Sequence, residues 1–235
     1  MDIAKYLEST YLKEHNEHDF SEYENMEIIT NLIREAIKYR FKLVMIRSKY
    51  IKLAKRMILQ EDSNLLVGTV IDFPLGRSSI REKLKEANIA LKMGADELDY
   101  VADYNGFKQG FFEKFDNDII LGTKLSLDHN KILKWIIETG ALSNSQIKNI
   151  TERITMLIMR EFPSFASNVF IKTSTGYYEG TGAMVEHVKL MKSVSSRLPI
   201  KASGGISTFE ECKSMVNAGA TRIGTSKAIN IFMKR

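Results

Sequence analysis

The chain is poor in cysteine, proline and histidine, and each scarcity excludes something. One cysteine, Cys212, in 235 residues rules out a disulfide framework within the chain and fits a reducing cytosol. The three prolines, Pro74, Pro163 and Pro199, are scattered. No linker, low-complexity tract or charge block divides the sequence, so one domain over residues 1–235 is expected. The histidines His15, His18, His129 and His187 do not cluster with Cys212 or with paired acids, so no metal centre is expected. His15 and His18 form a local pair in a charged stretch that reads as an exposed loop. Long apolar runs are absent too. Leu65–Ile71 is far too short to span a bilayer, and Met1-Asp2-Ile3-Ala4-Lys5 lacks the layout of a secretory signal. The net charge of +5 comes from 34 basic against 29 acidic residues with no clustered basic stripe. A nucleic-acid partner is therefore not expected, and the charge reads as solvated surface with a lesser role in steering an anionic substrate.

What recurs is an alternation of short Val/Ile-rich runs with longer amphipathic stretches. The runs are Phe41–Ile46, Leu65–Ile71, Asp96–Val101, Ile132–Ile137, Asn168–Thr173, Pro199–Ala202 and Thr221–Gly224, with Leu7–Thr10 a weaker eighth. Such runs suit strands covered on both faces. Between them, Met26, Ile29, Ile33, Ala36 and Ile37 repeat at helical spacing. Ser21–Glu24, Ser79–Glu82, Ser143–Gln146 and Ser207–Glu210 have the spacing of capping boxes that open helices. Eight strand–helix units in a chain of this length point to a single-domain α/β fold, the (β/α)8 TIM barrel. A doubly wound sheet usually has a glycine-rich turn after its first strand, and none is present. Half of the 14 glycines lie from Gly176 onward, where a barrel places its phosphate-binding loops.

Lys172 and Lys201 stand near the C-terminal ends of two successive apolar strands, each before a glycine turn. That end of the barrel carries the active site. A lysine pointing into the barrel loses hydration, and a second ammonium nearby lowers its pKa further. Asp99 and Glu97 share one strand face, so one of them is a candidate to join the lysines. The turns at Thr175-Gly176, Gly204-Gly205 and Gly224-Thr225-Ser226 suggest an anion site, because glycine lets the backbone approach an oxyanion closely.

These motifs resemble the deoxyribose-phosphate aldolases, class I aldolases on a TIM barrel. The resemblance runs through Val67–Gly76, Gly94–Asp99, Leu133–Gly140, Lys172–Gly176, Lys201–Ile206 and Ala218–Ser226. It implies reversible cleavage of 2-deoxy-D-ribose 5-phosphate to D-glyceraldehyde 3-phosphate and acetaldehyde, without a cofactor and in the cytoplasm. By the resemblance, Lys172 is the Schiff-base lysine and Lys201 keeps it unprotonated. Asp99 moves protons with a water, and Gly176, Gly204, Gly205 and Ser226 hold the phosphate. A homo-oligomer, dimer or tetramer, is compatible with the family. Another class I aldolase acting on a different phosphorylated sugar, or an inactive sugar-phosphate-binding barrel, are the competing readings. The sequence departs from the family pattern at several places. Met45 stands where cysteine is frequent, and Arg47-Ser48 replaces a residue followed by proline. Glu8 replaces an aspartate, Asp103–Gly106 is less apolar, and no tyrosine-ended tail follows Arg235. The lysine pair is intact, and the departures bear on substrate range and turnover.

Overall fold

Strand parity organises the molecule. In β6 (Val169–Lys172), Val169 and Ile171 join the core shared with the helices, whereas Lys172 belongs to the opposite set and turns inward. The same alternation runs through β1 (Leu7–Tyr11), β2 (Leu43–Ile46), β3 (Leu66–Ile71), β4 (Glu97–Val101), β5 (Ile132–Ile136), β7 (Ile200–Ser203) and β8 (Ala220–Thr225). All eight strands are parallel and close into a barrel in sequence order, β8 pairing back onto β1. The computed structural model describes residues 2–14 and 21–234. His15 and His18 lie outside the described residues.

The helices are α1 (Glu22–Lys38), α2 (Ile51–Gln60), α3 (Ile80–Met93), α4 (Tyr104–Lys108), α5 (Phe112–Asp128), α6 (Asn144–Glu161), α7 (Val185–Val194), α8 (Phe209–Asn217) and α9 (Ala228–Met233). They sheathe the barrel, and the main apolar core fills the space between strands and helices. The expected boxes at Ser21, Ser79 and Ser143 cap α1, α3 and α6. The fourth differs by one residue. Thr208, not Ser207, caps α8, and Glu211 rather than Glu210 closes the box. Ser207 sits one position outside and also donates to the Glu211 carboxylate, so the acid that reaches both is the one selected.

The inner face of α1 also departs from the apolar spacing. Met26 is exposed, and Asn25 is buried beside Ile29 and Ile33. Asn25 accepts a hydrogen bond from the Tyr11 hydroxyl and donates to that of Tyr50. A buried amide is tolerated because both of these partners are supplied.

Candidate active site

The barrel interior is divided. On the β2–β3 side it is apolar, with Leu43, Met45 and Val70 packed with Leu12 from the loop after β1. On the remaining side, inward positions carry charge. Glu8, Glu97, Asp99, Lys134, Lys172, Lys201 and Arg222 are all buried. Register sets Asp99 opposite Lys134 across β4 and β5, and Lys172 opposite Lys201 across β6 and β7.

Asp99 is the hub. Its Oδ2 accepts from Lys172 Nζ at 2.9 Å and from Lys201 Nζ at 2.8 Å. Its Oδ1 accepts from Lys134 Nζ at 2.7 Å. Lys134 also lies 2.7 Å from Glu97 and 3.7 Å from Glu8. Lys201 donates to Glu8. Arg222 pairs with Glu97 at 3.3 Å and with Glu8 at 3.6 Å, its guanidinium lying over the ring of Phe170. The charges are informative. Three carboxylates (Glu8, Glu97, Asp99) face three basic side chains (Lys134, Lys201, Arg222) plus Lys172. With Lys172 neutral, the interior balances; with Lys172 protonated, it holds one uncompensated positive charge.

The acid–base preferences follow. Burial is the largest influence on Lys172 and lowers its pKa; the ammonium groups of Lys201 and Lys134 add to it. Asp99 opposes them, and the result is about 8. Burial would also lower Lys134, but Asp99, Glu8 and Glu97 around it carry its pKa upward. Burial alone would raise Asp99, yet Lys134, Lys172 and Lys201 hold it well below the usual carboxylate range. Glu8 is likewise held down, burial being outweighed by Lys134 and Lys201. Lys172, whose pKa is depressed, is the lysine of this network that opens onto the cleft.

That cleft lies at the C-terminal end of the barrel. Lys172 is at its base, and Gly176, Gly204, Gly205 and Ser226 are on its wall. Lys201 and Asp99 do not line the cleft and meet Lys172 through Asp99 Oδ2. Gly204 has φ +96°, and a side chain there would come within 3.2 Å of the Gly182 backbone. Gly205 has φ +77° and open space where a side chain would project. Both conformations favour glycine and leave the backbone bare toward the cleft. Two hydrogen bonds from Thr175, through its N–H and its hydroxyl, fix the loop after β6 to the buried carboxylate of Glu138. Thr175 Oγ1 also accepts from the Tyr177 N–H. Burial pushes the pKa of Glu138 up, against the hydrogen bonds from Thr175.

The structure thus brings the sequence-selected residues Lys172, Lys201 and Asp99 into direct contact and gathers the four selected glycine-turn residues on one cleft. Lys134, Arg222, Glu97 and Glu8 complete the network, although sequence reasoning had not placed Lys134 or Arg222 among the candidates. Each interrupts an apolar strand, Lys134 opposite Asp99 and Arg222 opposite Lys201. Among the described residues, no group of three or more His, Cys, Asp or Glu side chains is arranged to hold a metal ion, and no helix is long and apolar enough to cross a membrane.

No family model matches the chain. Known proteins do. The chain is 40% identical over 233 residues to a deoxyribose-phosphate aldolase of Staphylococcus carnosus, spanning 99% of this chain and 96% of that one. It is 39% identical over 232 residues to a deoxyribose-phosphate aldolase of Thermococcus gammatolerans, spanning 98% and 95%. A solved structure, described as a unique tetrameric structure of deoxyribose phosphate aldolase from Aeropyrum pernix, superposes with a TM-score of 0.80 at 26% identity, spanning 98% and 89%. With two full-length relatives near 40% identity and the same barrel, the chain belongs to the deoxyribose-phosphate aldolase family.

Proposed function

We propose that this chain, as one barrel domain over residues 1–235, cleaves 2-deoxy-D-ribose 5-phosphate reversibly to D-glyceraldehyde 3-phosphate and acetaldehyde through a Schiff base on Lys172. The observation that carries the reading is the position of Lys172. It is the surplus cation of an otherwise balanced interior, and it sits at the base of the cleft with a pKa near 8.

The neutral amine of Lys172 attacks C1 of the open-chain sugar, and the carbinolamine loses water to give a protonated imine. A base removes the proton of the C3 hydroxyl and the C2–C3 bond breaks. Its electron pair moves through C2 to the imine nitrogen, releasing glyceraldehyde 3-phosphate and leaving an enamine. Protonation at C2 and hydrolysis return acetaldehyde and free Lys172. Asp99 serves the proton transfers with a water. Lys201 keeps the amine unprotonated, with Asp99 holding the side-chain nitrogens of both lysines in place. The imine is itself the electron sink, so the chemistry calls for no cofactor.

Gly176, Gly204, Gly205 and Ser226 form the phosphate end of the cleft, supported by backbone exposure at the two glycine turns. The helix starts nearby contribute less than glycine spacing alone suggests. The box at Thr208 already closes α8, and the Lys227 N–H donates to Thr225 Oγ1. The partners are therefore small molecules, with a cytoplasmic setting and a dimer or tetramer of identical chains completing the reading. The test is direct. Release of glyceraldehyde 3-phosphate from deoxyribose 5-phosphate, followed with a coupled dehydrogenase, should occur with wild type and vanish with Lys172→Met. Equal rates for the two would refute it.

A further inference from the structure

Arg47 follows β2 and makes contacts that no step of the proposed chemistry uses. Its Nε donates to the Leu12 carbonyl oxygen at 2.7 Å and lies 3.3 Å from Glu14, both in the loop after β1. The same guanidinium lies over the ring of Phe73, 4.9 Å from its centroid, in the loop after β3. Phe73 in turn meets Tyr177 of the loop after β6 edge-on, with centroids 4.9 Å apart and planes at 80°. One planar cation thus links three other βα loops into a belt. The ends of that belt, Leu12 and Tyr177, both line the cleft that contains Lys172. Phe73 packs on the apolar cluster of Leu12, Leu43, Met45 and Val70, so the belt rests on the apolar half of the barrel interior. Only 17% of the Arg47 side chain is exposed.

We propose that Arg47 is a positioning residue that sets the separation of Leu12 and Tyr177, and thereby the size of aldehyde donor the cleft accepts at Lys172. The inference rests on the Schiff-base reading above. Arginine suits the place for a physical reason. Its edge donates to a carbonyl and a carboxylate while its flat face stacks on an aromatic ring, and the compact ammonium of lysine has no planar face with which to do both at once. Loosening the belt lets the walls part on the apolar side, where the hydrocarbon end of a donor would lie.

The experiment compares acetaldehyde with propanal as donors for condensation with glyceraldehyde 3-phosphate, in wild type, Arg47→Lys, Arg47→Ala and Phe73→Leu. One methylene separates the donors, a difference that a fitted apolar pocket discriminates by roughly 10- to 200-fold. In Arg47→Ala the kcat/KM preference for acetaldehyde should fall about tenfold, mainly through KM for the donor. Arg47→Lys should fall between wild type and Arg47→Ala, because it retains the edge contacts and loses the stack. Phe73→Leu breaks the next link and should also lower the preference. The apparent pKa of imine formation should stay at its wild-type value. An unchanged donor preference in both Arg47→Ala and Phe73→Leu, with or without a uniform loss of rate, would overturn the inference. A wild type that neither cleaves deoxyribose 5-phosphate nor forms an imine would instead overturn the proposed function, so the two failures are distinguishable.

Discussion

Lys172 and Lys201 are register partners on adjacent strands, and their ammonium groups reach the same oxygen, Oδ2 of Asp99, at 2.9 and 2.8 Å. The two lysines differ in the other anions they reach. Lys201 has a second anion in Glu8, whereas Asp99 is the anion that holds Lys172. Burial and the neighbouring ammonium groups hold the pKa of Lys172 down to about 8, and its amine faces the cleft.

The first expectation concerns pH. With a pKa of about 8 for Lys172, roughly a tenth of the enzyme carries a free amine at neutral pH, against well under 0.1% for an ordinary lysine. The acidic limb of kcat/KM should rise toward a plateau above pH 8. In Lys201→Leu the neighbouring charge is gone, and the limb should move to higher pH with lower activity at neutrality. A superimposable profile would make Lys201 structural only.

Asp99→Asn should slow steady-state cleavage by roughly 10²-fold or more, the usual range for one acid–base group. The swap is nearly isosteric, but it removes the anion shared by three lysines. Stability should therefore fall by about 3–5 kcal/mol, as when one partner of a buried ion pair is deleted. Thermal melts beside rate measurements would check both. A full-rate variant would reduce Asp99 to an ion-pair partner.

Stability should carry the mark of Lys172 with a definite sign. Its folded pKa of about 8 lies below the unfolded value of about 10.4, so between these values the unfolded chain binds more protons and stability gains as pH rises. Below pH 8 the burden of burying the charged amine is fully present. Lys172→Met should consequently be more stable than wild type at pH 7, with the gap narrowing by pH 10. Urea titrations at the two pH values measure it, and a constant gap would contradict the depressed pKa.

At the phosphate end, Gly204→Ala brings a methyl group toward the Gly182 backbone at a positive φ. It should raise KM for deoxyribose 5-phosphate about tenfold or more and, through lost remote binding energy, depress kcat as well. Unphosphorylated deoxyribose should be a much poorer substrate of wild type on the same grounds. Comparable kcat/KM values for the two sugars would remove the phosphate from this cleft wall.

Much of this arrangement was legible in the residues. Val/Ile-rich runs bounded by capping boxes imply strand–helix units, and eight of them imply the closed barrel. Lys172 and Lys201 announced themselves as charges inside apolar strands. Lys134 and Arg222 did not, although each also interrupts an apolar strand, because their relevance depends on register. Only the pairing of Asp99 with Lys134 and of Lys201 with Arg222 shows them level with the site. The β7–β8 register is itself shifted at Ile200/Lys201, an irregularity that side-chain alternation does not reveal. Thr208 displaced Ser207 as a cap because two adjacent hydroxyl residues compete for one acid. Arg47 was visible only as a departure from the family pattern, since its partners are brought from loops 35 and 26 positions away in the chain.

The most direct measurement is borohydride reduction in the presence of acetaldehyde, followed by peptide mass spectrometry. The buried, deprotonatable amine of Lys172 should form the imine, which reduction converts to an N-ethyl lysine with loss of activity. The modification should map to Lys172 and be absent from Lys172→Met. Ethylation confined to other lysines, with activity intact, would contradict the account.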